Sequence, residues 1–288
     1  MNRYLKLVHM ELGRAWKPLA ALMGLTLVMQ LAIVVYLTRN RVAFVKRNYL
    51  EEQQMSVATF VQKIGRISFN DVMMDNMLFT APIVLGIVVL LLYTLFLWYR
   101  DWLGKNMFIY RLLMLPSARS DLYFAKLTTV LLLVFSLVAF QMAILPLLSA
   151  AFAASVPYEL RESVTAVELA SEIELLTLVL PFNWKDFLLY YGFGMAGVAV
   201  LYACVLLERS YKIVRGIAGM LVYLAIIGLL LFLPAIIGLL LFLPAIIDVY
   251  WMALYPWELI TLQSGLVAVV GALSVWLSLY LMKHKITV

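Results

Sequence analysis

Few residues in this 288-residue chain could do chemistry, and their setting decides what that chemistry is. Gly192-Phe193-Gly194-Met195-Ala196-Gly197 spells the dinucleotide fingerprint letter for letter. That pattern cradles a pyrophosphate only where a strand turns into a helix, whereas here it lies inside an apolar run with no strand before it, so it is not a nucleotide site. The small residues Gly192, Ala196 and Ala199 instead give a smooth helix face that a second helix can approach closely in lipid. His9 and His284 stand at opposite ends of the sequence without a second ligand at metal spacing, and the lone cysteine, Cys204, has no partner for a disulfide or a metal. With no phosphate loop of the form Gly-x-x-x-x-Gly-Lys-Ser/Thr and no nucleophile elbow, the chain is not expected to be an enzyme, and no cofactor or metal site is expected in it. Gln30 and Gln141 are the polar residues placed to line a pathway, although hydrogen bonding between helices is the simpler role.

The most informative polar stretch is Tyr99 to Lys126, which is long, basic and partly apolar. Phe108, Ile109, Leu112, Leu113 and Leu115 form a short apolar helical pattern that Pro116 stops, and Ser117 can cap a second short helix containing Asp121 and Tyr123. Such a helix-break-helix is shaped to dock a soluble partner, with Arg111, Leu112, Leu115, Pro116, Ser117, Arg119 and Lys126 as the coupling candidates. The competing reading has the stretch seal the bundle at the interface, its Arg and Lys snorkelling to headgroups.

These residues are carried by six long runs free of Asp, Glu, Lys and Arg: Pro18–Leu37, Leu78–Trp98, Leu127–Phe152, Phe187–Leu207, Gly216–Ile247 and Leu262–Met282. Each is near or above the roughly 20 residues a helix needs to cross about 30 Å of hydrocarbon. Only helices or a closed barrel satisfy the backbone in lipid, and runs this long without alternation mean helices, so an all-α polytopic membrane fold is expected. A composition 65% hydrophobic and 13% charged excludes a soluble globular domain. The first run reads as a permanent span rather than a cleaved signal, and no linker divides the chain, so residues 1–288 are read as one membrane domain. A ten-residue block, Ile226–Ala235, is repeated unchanged as Ile236–Ala245, which makes the fifth run about 48 Å long and calls for tilt, a proline kink or a re-entrant turn. A tandem duplication without function explains it most plainly.

Orientation follows from the basic residues, which short flanking loops retain on the cytoplasmic side. With the N-terminus inside, the inner segments hold Arg3, Lys6, Arg14, Lys17, Arg100, Lys105, Arg111, Arg119, Lys126, Arg209, Lys212, Arg215, Lys283 and Lys285, against Glu11, Asp101, Asp121 and Glu208. Both termini are therefore expected in the cytoplasm, with residues 1–17 as an interfacial helix, 99–126 as a cytoplasmic segment, and 39–77 and 153–186 as outer loops. The first outer loop is the exception, because Arg39, Arg41, Lys46, Arg47, Lys63 and Arg66 lie in it. Phe60, Val61, Ile64, Ile67 and Val72 in that loop, and Val167 to Val179 in the second, are spaced as helices near the membrane surface, with packing against the bundle as the favoured role. The +6 formal charge is accounted for by topology and attraction to anionic lipid; no nucleic-acid motif accompanies it.

Two stretches resemble a known family. Leu113-Met114-Leu115-Pro116-Ser117-Ala118-Arg119, followed by Leu122 and by Lys126 at the head of a span, is similar to the Leu-Pro-x-x-Arg…Lys pattern after the second span in permeases of the type-2 ATP-binding-cassette (ABC) exporters. The opening Asn2 to Leu12, leading through Arg14 and Lys17 into the first span, resembles that family's interfacial N-terminal helix. The long first outer loop and the lengthened fifth run depart from the family plan. The resemblance implies a permease subunit in the bacterial plasma membrane, paired with a second copy or a related permease. It further implies separate ABC ATPase subunits that hold ATP and Mg, with 99–126 as the coupling helix. The alternatives are a non-transporting assembly or immunity factor that docks a cytoplasmic partner and, behind it, a secondary transporter. The latter is disfavoured because no ionisable residue stands at mid-depth in any run.

Overall fold

The computed structural model describes residues 3–73, 77–103, 118–162, 174–181, 183–211, 213–245 and 256–285. Nine α-helices follow one another among them: α1 (Arg3–Val45, running on through a wide π-turn, Lys46–Glu51), α2 (Val57–Lys63), α3 (Phe69–Met73), α4 (Met77–Leu103), α5 (Arg119–Ser155), α6 (Glu174–Val179), α7 (Trp184–Ser210), α8 (Ile213–Ala245) and α9 (Pro256–His284). Six of these, α1, α4, α5, α7, α8 and α9, are long and apolar enough to cross a membrane, which is the architecture of a multi-pass membrane protein. No strand occurs among the described residues.

Each apolar run lies within one helix as far as the described residues reach, but the helices overrun the runs. Residues 3–17 are helical and run directly into the first span: α1 is continuous through Pro18, whose ring removes one backbone hydrogen bond without ending a helix this long. Asp121 and Tyr123 likewise belong to α5 itself and not to a separate capped helix, because nothing between Arg119 and Leu127 breaks the backbone pattern. The fifth run is one unbroken helix to Ala245, so neither Pro234 nor a re-entrant turn interrupts it.

The chain divides into two compact units. One comprises Leu12–Leu91 and Leu132–Trp184. Its apolar core joins Val34 and Leu37 of α1, Phe79 of α4, and Ile144, Leu148 and Phe152 of α5 to Phe60, Ile67, Phe69 and Leu176 of the connecting segments. The Phe69 ring stands edge-on to Phe79 at 5.8 Å and to Phe152 at 5.4 Å. The pattern from Phe60 to Val72 does not form one helix: it divides between α2 and α3. Ser56 caps α2 by accepting the Thr59 N–H at 3.2 Å, and Gly65, at φ 103°, supplies the left-handed turn that ends it. Ile67 then pairs with the second connecting segment: its N–H donates to the Leu160 carbonyl at 2.7 Å and its carbonyl accepts from the Glu162 N–H at 3.1 Å.

The other unit comprises Met1–Glu11, Leu92–Leu131 and Lys185–Val288. Here α8 and α9 are joined by the Tyr223 hydroxyl and Ser274 Oγ, 2.6 Å apart. α7 and α9 approach closely where a Cβ on Gly271 would lie 3.1 Å from that of Ala196. Gly216, at the head of α8, passes so near the end of α7 that any side chain there would overlap the Glu208 carbonyl.

Candidate functional site: a buried ionic cluster beside residues 104–117

The buried stripe of α4 carries Thr94, Leu97, Trp98 and Asp101 at helical spacing, and that of α5 carries Leu122, Tyr123, Lys126 and Thr129. These stripes, together with Glu11 of α1, bring four charges together inside one unit. The ammonium of Lys126 is wholly buried and spends all three of its donors, on Asp101 Oδ2 at 2.6 Å, the Leu97 carbonyl at 2.9 Å and Glu11 Oε1 at 3.1 Å. It also lies 5.2 Å from the Trp98 ring centroid. The second oxygen of Glu11 accepts from Arg100 Nη2 at 2.5 Å, and Arg100 Nε stands 3.9 Å from Asp101 Oδ1. Two carboxylates thus neutralise two cations. Removing ions from water costs several kcal/mol each, and only such near-complete pairing and hydrogen bonding offsets it.

Aromatic rings wall the cluster. Trp98 meets Tyr202 edge-on at 5.4 Å, and Tyr202 meets Tyr123 at 5.7 Å. Further polar bonds tie neighbouring helices to α4 and α5: the Tyr4 hydroxyl and Thr128 Oγ1 are 2.5 Å apart, the Tyr99 hydroxyl donates to Glu208 Oε2, and Arg119 Nη1 donates to the Met282 carbonyl at 2.5 Å. The last bond places a cation on the orphan carbonyls at the end of α9, where a helix end favours positive charge. Each of these bonds engages one of the two helices that border residues 104–117. Among the described residues no group of His, Cys, Asp and Glu is arranged to hold a metal ion.

Of the coupling candidates, Arg111, Leu112, Leu115, Pro116 and Ser117 lie outside the described residues. Arg119 holds the end of α9, and Lys126 is enclosed in the cluster rather than offered to a partner. Gln30 and Gln141 face each other in the other unit, Gln30 Nε2 donating to Gln141 Oε1 at 3.4 Å. The remaining amide atoms, Gln30 Oε1 and Gln141 Nε2, have no bond partner. Replacing both glutamines by leucine should therefore leave thermal stability nearly unchanged, while either single replacement orphans its partner and should cost about 1–3 kcal/mol, read from the unfolding midpoints of the three variants. Ala196 sits at the close approach to Gly271, Ala199 is buried, and Gly192 has no neighbour within 4 Å of where a Cβ would stand. Cys204 is buried in the inward stripe of α7 beside Ala203 and Val205.

Glu11, Arg100 and Asp101 were not singled out from sequence. A signal was nonetheless present: acids are scarce in the basic segments, and Glu11, Asp101 and Glu208 all bond a group on another helix. No protein-family model, curated protein or solved structure matches this chain.

Proposed function

We propose that this chain is the permease subunit of an ATP-driven exporter of the type-2 ABC kind, with both termini and residues 99–126 in the cytoplasm of a bacterium. A second permease, identical or related, completes the translocation path, and separate ABC ATPase subunits supply the work. The observation that carries the reading is the buried ionic cluster, considered with the Leu115-Pro116-Ser117-Ala118-Arg119 resemblance. A segment that receives force from a soluble motor must pass it to the spans. Here the two helices bordering 104–117 are cross-linked by Lys126 and Asp101 and tied to α1 through Glu11. Displacement of 104–117 then shifts α1, α4 and α5 together instead of fraying one helix end. The cluster charges stand at the ends of apolar runs rather than in mid-run, which keeps proton-coupled transport the weaker reading.

The test is affinity purification of the tagged full chain from its own host membranes, with co-purifying proteins identified by mass spectrometry. An ATPase bearing a phosphate loop should be retained by the wild-type chain and reduced about tenfold or more by Pro116→Ala combined with Arg111→Gln, as expected when interface anchors are removed. An intact wild-type chain that retains no such ATPase defeats the proposal. Retention of a different cytoplasmic protein with no ATPase would favour the docking-factor reading.

A further inference from the structure

Four of the six cations that break the charge asymmetry between loops, Arg39, Arg41, Lys46 and Arg47, lie on the last turns of α1 and the π-turn that continues it. Beyond Leu37, where the apolar run ends, α1 continues as helix with Thr38, Val42 and Val45 buried and Arg39, Arg41 and Lys46 exposed around the rest of its circumference. No acidic residue occurs between Thr38 and Leu50. Among the described residues the Arg39 and Lys46 side chains have neither an ion pair nor a hydrogen bond, and the Arg41 side chain has only the face of Phe44, 5.8 Å away. Arg47 is set apart from these three by its ion pair with Glu52 at 3.8 Å. At 1.5 Å per residue, Arg39 and Arg41 stand about 3 and 6 Å past the end of the run, within the polar layer that adds roughly 5–8 Å to each side of the hydrocarbon. Lys46 begins about 13 Å past it and has a long flexible stem to reach back. Tyr36, 60% exposed, and Phe44, 47% exposed, bracket the two arginines with rings of the kind that settle at headgroup depth.

We propose that Arg39, Arg41 and Lys46 form an anion-binding collar for the phosphate headgroups of acidic phospholipids in the leaflet that this end of α1 enters. Its position within about two and a half turns of hydrocarbon fixes a lipid, and not a soluble acidic protein, as the occupant. Guanidinium groups present paired donors that match phosphate oxygens, and an ammonium adds a mobile third charge. The collar does not depend on ATP-driven transport. It also accounts for three of the six basic residues in the first outer loop that run against the orientation rule.

The experiment is native mass spectrometry of the full chain released from nanodiscs of mixed phosphatidylglycerol and phosphatidylcholine. Wild-type protein should retain phosphatidylglycerol preferentially, and Arg39→Gln/Arg41→Gln/Lys46→Gln should lower that preference by about tenfold or more, given roughly 1 kcal/mol per surface cation. Arg39→Lys/Arg41→Lys should keep most of it. Should the triple variant fail to fold, Arg39→Gln and Lys46→Gln are read singly, each with a loss of about threefold to fivefold. Equal preference in wild type and glutamine variants overturns the collar, as does equal retention of the neutral lipid.

Discussion

Lys126→Met is expected to be the most damaging single substitution in the ionic cluster, lowering stability by about 3–5 kcal/mol in a detergent unfolding assay. The loss comes less from the vanished attraction than from what remains. Asp101 stays buried while losing its 2.6 Å contact with the ammonium, and Glu11 keeps one cation instead of two. Glu11→Gln should cost less, since Lys126 retains Asp101 and the Leu97 carbonyl while Arg100, 23% exposed at its side chain, can turn to water. A double-mutant cycle of Lys126→Met with Asp101→Asn should return a coupling energy of about 0.5–3 kcal/mol, because the second change removes the charge that the first one strands. Additive losses would show that the two groups do not interact as the 2.6 Å contact requires.

Gly216→Ala is expected to be the second severe change. The methyl group would overlap the Glu208 carbonyl and lie 3.0 Å from both its carbonyl carbon and its Cα. All three are backbone atoms, so no side chain can rotate away. The turn between α7 and α8 must open, at a cost of about 1–3 kcal/mol for forced overpacking, and Glu208 would be drawn off the Tyr99 hydroxyl as it does so. Unfolding midpoints measured beside Gly219→Ala supply the control. Gly219 has no neighbour within 4 Å of a Cβ, so there the gain in helix propensity should leave stability equal or higher. A Gly216→Ala protein as stable as the Gly219→Ala protein would show that the two helix ends do not meet in this way.

The spanning helices were legible because lipid leaves the backbone no other solution: an apolar run of 20 residues must be helix, whatever its tertiary partners. Their ends were not. Hydrophobicity stops at Leu37 and resumes at Leu127, but Arg, Asn, Ser and Asp continue a helix well enough when its other face is buried, so α1 reaches Val45 and α5 begins at Arg119. The connecting segments were read as helical from the spacing of Phe60, Ile64, Ile67 and Val72, yet spacing could not say that Gly65 would divide them or that Ile67 would pair with Leu160 and Glu162. The cluster was hidden for the same reason. Lys126 stands 115 positions from Glu11, and no local pattern links a glutamate in the first turns to a lysine at the head of the third span.

Shielding of the single thiol has a practical consequence. Cys204 is 5% exposed, and the sequence holds no other cysteine. Water-soluble maleimides should therefore find almost nothing to react with on the native chain, which serves as its own blank. A cysteine introduced at Tyr158 or Trp184, both largely exposed, would report from intact cells which side the connection between α5 and α7 faces, without any prior stripping of natural thiols.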